Sequence, residues 1–164
     1  MLENPINFIL KRVQPCSSVL SVGCQDSGKG VILSRNGMRV KFLDINNCNL
    51  EIIRANKLNN VEFINKNILD LETFEKFDII LLNRLFHIFS YPDQIKIMHL
   101  ITNYTQVGSY VHVTWPNLDN FITIKKFKEL FAEHFKIVFQ RVFKKKDNFN
   151  HEHIIRSVIL SRYK

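Results

Sequence analysis

His87 is the residue in this chain best suited to acid–base chemistry. It falls five residues after the end of Phe77–Leu82, the strongest apolar run. An imidazole titrates close enough to neutral pH to take a proton from an oxygen or nitrogen nucleophile; a packed or solvated histidine is the plainer alternative. Asp44 closes a second apolar run, Val40–Leu43, 21 residues after Gly23. A carboxylate there can accept hydrogen bonds from both hydroxyls of a ribose, or can simply favour the dipole of a following helix. Ile45 can cover one face of an adenine, and Asn67, followed by Ile68, can bond the adenine edge. Gly23 lets a ligand approach the backbone, and is equally what a tight turn requires. Cys24, Gln25 and Asn83 complete the set that such a ligand would meet. Cys24 reads as a small buried residue rather than a nucleophile.

These side chains can meet only if the apolar runs are parallel strands whose carboxyl ends share one edge. The strand pattern fits: Ser18–Val22, Val40–Leu43, Val61–Ile64, Phe77–Leu82 and Tyr110–Trp115 alternate with helical patterns. Helices are expected near Gly28–Asn36, from Asn47, from Pro92, and over Ile124–Phe135, with a helical turn near Thr73. An amphipathic helix capped by Asn4 precedes the first strand. Gly37 stands where a helix C-cap is expected. Two closing strands, Lys136–Phe143 and His153–Ser161, read as an antiparallel hairpin, with Lys144–Lys146 in its solvated loop. A phosphate-contacting role is the other reading of those lysines. FDIILL suits a central strand buried on both faces. The whole chain, residues 1–164, is expected to form one α/β domain, with ligands at the strand ends.

Two ligand classes use such an edge. A dinucleotide lays its pyrophosphate on a helix start and needs a second glycine for close approach. The frame Gly23-x-Gln25-x-x-Gly28 puts a side chain there instead. An adenosyl sulfonium carries no phosphate and makes a lesser demand, and the terminal hairpin also favours it.

On these residues the chain resembles the class I S-adenosylmethionine-dependent methyltransferases over nearly its full length. The glycine motif falls on Ser21-Val22-Gly23-Cys24-Gln25-Asp26-Ser27, the acid after strand two on Asp44, and the adenine-motif acid on Asn67. The fourth motif falls on FDIILLNRLFHIF. VGC, NGMRVKFLDIN and the short hairpin are similar to the tellurite-resistance and thiopurine-type small methyltransferases. The resemblance implies a Rossmann-like open sheet of seven strands, order 3-2-1-4-5-7-6, with the last strand antiparallel and helices on both faces. It implies S-adenosylmethionine as cofactor, with contacts from Gly23, Cys24, Gln25, Asp44, Ile45, Asn67, Ile68 and Asn83, and His87 beside the methyl group. The acceptor would be a small molecule, for example a soft nucleophile. A non-catalytic binding protein on the same fold, motivated by Ser21, Gln25 and Ser27, is an alternative. RNA methylation is another, since the formal charge is +8.

The remaining features set limits. No apolar run approaches the roughly 20 residues of a membrane span, and MLENPINFILKRVQP lacks the pattern of a signal peptide. Three cysteines without CxxC pairing suit a reducing compartment, so a cytoplasmic location is expected. His151 and His153 alternate onto one strand face as two metal ligands would, but no third ligand has suitable spacing, and no metal site is assigned. Trp115 either lines the substrate cleft or plugs it.

Overall fold

Alternate residues of the central strands divide between two apolar layers, and that division sets the architecture. The computed structural model describes residues 4–23, 28–116, 123–146 and 152–164. Its strands are β1 (Ser18–Val22), β2 (Arg39–Asp44), β3 (Val61–Asn65), β4 (Ile79–Asn83), β5 (Tyr110–Pro116), β6 (Phe135–Lys146) and β7 (Glu152–Arg162). They form one sheet of order β3-β2-β1-β4-β5-β7-β6. The pairings among β1 to β5 are parallel, and β7 runs antiparallel to both β5 and β6. This is the expected seven-stranded order.

The helices are α1 (Pro5–Leu10), α2 (Gly28–Arg35), α3 (Cys48–Ala55), α4 (Tyr91–Tyr104) and α5 (Ile124–Phe131). One layer packs Val19, Phe42, Ile79 and Leu81 with Phe8, Ile9, Val31 and Leu33 from α1 and α2. The opposite layer packs Leu20, Val22, Ile80 and Leu82 with Ile97, Ile101, Phe127 and Phe131 from α4 and α5. Every residue of β4 is buried, as a strand covered on both faces requires. Asn4 caps α1 by accepting from the Ile6 amide, 2.9 Å away. Gly37 follows α2 at φ +84°, the left-handed cap geometry.

Several boundaries differ from the sequence expectation. Lys144–Lys146 are not a loop: they are the last residues of β6, paired with β7 through Lys146↔Glu152. A Lys144–Glu152 ion pair of 2.7 Å spans the two strands, so Lys144 faces a cross-strand acid. α5 ends at Phe131, and β6 already begins at Phe135. The turn expected near Thr73 lies earlier, as a 3₁₀ turn over Ile68–Asp70 capped by Asn67. Trp115 neither lines nor plugs the cleft. It is buried in the α5 layer and stacks on Phe127 at 4.8 Å. Among the described residues no helix is long and apolar enough to cross a membrane.

One glycine that the sequence did not mark controls how α2 seats on the sheet. A Cβ on Gly30 would lie 2.5 Å from Phe42 Cε1 and 2.8 Å from Cζ. Phe42 is fully buried and has no room to retreat. Gly30→Val is expected to destabilise the fold by ~1–3 kcal/mol through overpacking, lowering Tm by roughly 2–4 °C per kcal/mol. Circular-dichroism melts check this, and Gly30→Val/Phe42→Leu should recover much of the loss. No recovery would place the cost elsewhere.

Candidate active site

The carboxyl ends of β1, β2, β3 and β4 meet along one edge, and two adjoining cavities open there. The smaller, ≈ 140 Å³, is walled by Val22, Gly23, Leu43, Asp44, Ile45, Asn67, Ile68, Leu85, Ile88 and Phe89, with Lys66. Ile45 after β2 and Ile88 after β4 are each 65% exposed. Aliphatic side chains left in water on both sides of one slot suit a flat apolar ligand. The larger cavity, ≈ 590 Å³, shares Gly23, Asp44, Ile45, Leu85 and Ile88, and adds Asn46, Asn83, Arg84, His87, Pro116 and His153.

Local geometry explains why these residues stand there. Gly23 has φ +92°, and a Cβ on it would lie 3.0 Å from the Asn83 carbonyl oxygen. The turn after β1 therefore passes the end of β4 at a separation that only glycine permits. Asp44 Oδ1 accepts from the Asn46 amide at 2.8 Å, which fixes the carboxylate over the turn. Asn65 donates its side-chain amide to the carbonyls of Asp44 and Ile45, at 3.1 and 2.9 Å. The carbonyl of Asn67 caps the 3₁₀ turn by accepting from the Leu69 amide at 3.0 Å. Its NH₂ is then the group suited to an acceptor nitrogen on a ligand.

Beyond β4 the chain reverses at Arg84, a non-glycine residue at φ +48°. That left-handed conformation costs about 1–3 kcal/mol. It is held by the Arg84 amide donating to both the carbonyl and the hydroxyl of Thr114, at 3.0 and 3.1 Å. The following 3₁₀ turn, Phe86–Ile88, carries His87. Buried Gln94 of α4 donates to the carbonyls of Phe86 and Phe89, at 3.2 and 3.1 Å. Phe86 packs edge-on to Phe127. The imidazole is thus carried on a braced segment. Its pKa is held below the ordinary 6.5, first by burial and second by the positive charge of Arg84. His87 is therefore a neutral base at physiological pH.

Asn83 is 2% exposed and anchors the inner wall. Its amide donates to Ser21 Oγ at 3.4 Å and accepts from Lys29 Nζ at 3.2 Å. Of the expected contacts, Gly23, Asp44, Ile45, Asn67, Ile68, Asn83 and His87 all line one cavity or the other. Cys24 and Gln25 lie outside the described residues, as does His151. Sequence reasoning did not name Leu85, Ile88, Phe89 or Pro116 as wall residues. The run LFHIF, read as the end of the fourth motif, held the signal for three of them. His153, considered with His151 for a metal, lines the larger cavity instead.

The description "Methyltransferase domain" belongs to a family model that matches residues 16–156. The chain belongs to that methyltransferase family. No curated protein sequence matches it significantly. Among solved structures, a SAM-dependent methyltransferase of Methanosarcina mazei superposes with TM-score 0.78 at 16% identity, covering 99% of each chain. N-methyltransferase NodS of Bradyrhizobium japonicum, in complex with S-adenosyl-L-homocysteine, gives 0.76 at 13% identity, covering 99% of this chain and 90% of NodS. TehB of Haemophilus influenzae gives 0.76 at 18%, covering 99% of this chain and 63% of TehB. At these identities the likeness is one of fold. S-adenosylmethionine is the cofactor of this methyltransferase fold. The residues here fit it: a slot with apolar walls, a carboxylate fixed beside it, and a glycine in the wall of both cavities.

Proposed function

We propose that this methyltransferase binds S-adenosylmethionine across Gly23, Asp44, Ile45, Asn67, Ile68 and Asn83, and methylates a small molecule held beside His87. The observation that carries the reading is the continuity of the two cavities. Gly23, Asp44, Ile45, Leu85 and Ile88 wall both the slot and the space lined by Asn83, Arg84, His87, Pro116 and His153. When bound, the cofactor supplies a methyl group activated by its sulfonium. The chain's part is to hold the acceptor in line with that group, which is the main catalytic term in such a displacement. With the cofactor bound, the acceptor's lone pair would bond to the methyl carbon and the carbon–sulfur pair would return to sulfur. His87 receives the proton that an amine, hydroxyl or thiol must shed. The small-molecule methyltransferases among the structural neighbours support a small acceptor in preference to RNA. NodS and a didemethyltoxoflavin N1-methyltransferase, both solved with S-adenosylhomocysteine, support the same cofactor.

Calorimetric titration with S-adenosyl-L-homocysteine, followed by transfer of labelled methyl to a panel of amines, hydroxyls and thiols, tests this reading. No binding at millimolar ligand would sink it. The pH profile carries the base assignment. Transfer to an acceptor that loses its proton to His87 should rise with pH through a midpoint below 6.5, then stay level. Above the midpoint the imidazole is neutral and able to accept; below it the ring is already protonated. Arg84→Met should move the midpoint upward. His87→Gln should remove the rising limb and slow transfer by about 10²–10⁴-fold. An unaltered profile in His87→Gln would assign the proton to another group.

A further inference from the structure

Asn83, a wall residue of the larger cavity, is hydrogen-bonded to a cation. Where the methyltransferase glycine motif begins with an acid, this chain has Ser21, fully buried and neutral. The cation Lys29, from the first turn of α2, reaches into the same cluster. Its ammonium donates to Asn83 Oδ1 at 3.2 Å, while Asn83 Nδ2 donates to Ser21 Oγ at 3.4 Å. The hydroxyl orients the amide and the amide orients the lysine. The wall residue Asn83 thus joins an ammonium group on one side to a hydroxyl on the other, directly behind the cavity. The three residues come from β1, α2 and β4, so the arrangement is set by the fold rather than by one loop.

An amino-acid end carries both a carboxylate and an ammonium. An ammonium held beside the wall by Asn83 attracts the first and repels the second. We propose that Lys29 binds the α-carboxylate of the cofactor's methionine end, with Asn83 and Ser21 positioning its side chain. This rests on the S-adenosylmethionine reading above. Lysine suits the role as a compact point charge on a flexible stem. A hydrogen bond between ionised partners is about twice as strong as a neutral one. The site then selects its cofactor by the carboxylate, and ligands lacking it lose the benefit of Lys29.

The test compares S-adenosyl-L-homocysteine with 5′-methylthioadenosine, which keeps adenine, ribose and sulfur but has no amino-acid end. Calorimetry on the full chain should show Lys29→Met weakening S-adenosyl-L-homocysteine by roughly ten- to a hundredfold and leaving methylthioadenosine unchanged. Lys29→Arg, which keeps the charge, should retain most of the affinity. Decarboxylated S-adenosylmethionine, with an ammonium and no carboxylate, should bind Lys29→Met at least as well as it binds the native chain. Equal weakening of both ligands by Lys29→Met would show a role in the fold alone, and would overturn the proposal. So would undiminished binding of S-adenosyl-L-homocysteine. Failure of the native protein to bind either ligand would instead overturn the methyltransferase reading, and this inference with it. Melts without ligand keep the outcomes separate, because an unchanged Tm in Lys29→Met excludes loss of structure.

Discussion

Gly23→Ala is expected to lower Tm by several degrees and to abolish the thermal shift that S-adenosyl-L-homocysteine produces. Two effects combine at this residue. At φ +92° a side chain is strained wherever it points, at about 1–3 kcal/mol. The added methyl would also meet the Asn83 carbonyl oxygen at 3.0 Å and Leu85 Cβ at 3.6 Å. Backbone oxygen cannot rotate away, so the turn after β1 must move off the end of β4. Both cavities have Gly23 and Leu85 in their walls, and the movement distorts the binding edge itself. Gly37 supplies the control. It has a similar φ of +84°, but nothing lies within 4 Å of its added Cβ. Gly37→Ala should therefore lose stability, at roughly 2–4 °C per kcal/mol, yet keep its full response to ligand. Differential scanning fluorimetry with and without ligand reads both quantities. A Gly23→Ala protein with an undiminished ligand shift would show that the close approach does not matter for binding.

That contrast between two glycines marks the boundary of what the sequence made legible. The positive φ of Gly23 and Gly37 followed from their places after a strand and after a helix, because local chain reversal leaves local signs. Gly30 left none: its need for a missing side chain comes from the Phe42 ring, on another element. The strands could be read because apolar runs such as FDIILL answer to burial, which is a property of the segment; their order came from the family resemblance. Asp44 and Asn67 were legible as polar residues at or just past the end of a strand. What they do locally was not. Asn67 gives its carbonyl to a cap and Asp44 gives one oxygen to an Asx turn, and those bonds decide which atoms face a ligand. Trp115 was misjudged by one position. It shares the inward face of Val111 and Val113 and joins the α5 layer, so Pro116 forms the cavity wall. Lys144–Lys146 looked like a loop because charge is a poor marker of an edge strand. Edge strands carry lysine to discourage pairing with other chains, and Glu152 opposite supplied the missing partner. Arg84 could not be foreseen as a left-handed residue, since its conformation is held by Thr114 on β5.

Asp44→Ala is expected to weaken S-adenosyl-L-homocysteine by roughly ten- to a hundredfold, with the loss confined to ligands that carry a ribose. A hydrogen bond to a charged group is worth about 1.5–3 kcal/mol, and each 1.4 kcal/mol is a factor of about ten in affinity. The carboxylate is already fixed by the Asn46 amide at 2.8 Å, so a ribose finds its acceptor in place and little ordering cost opposes binding. Asp44→Asn should fall between the native protein and Asp44→Ala. Its side-chain oxygen can still accept from Asn46, but the charge and the second acceptor oxygen are gone. The diagnostic comparison is with methylthioadenosine. Because that ligand retains the ribose, Asp44→Ala should weaken it by the same factor as S-adenosyl-L-homocysteine, whereas Lys29→Met should spare it. Calorimetry on the two variants with the two ligands therefore resolves the edge into a ribose end and an amino-acid end. If Asp44→Ala bound both ligands within twofold of the native affinity, the ribose would have to lie elsewhere along the sheet, and the direction of the cofactor across β1, β2 and β4 would need to be redrawn.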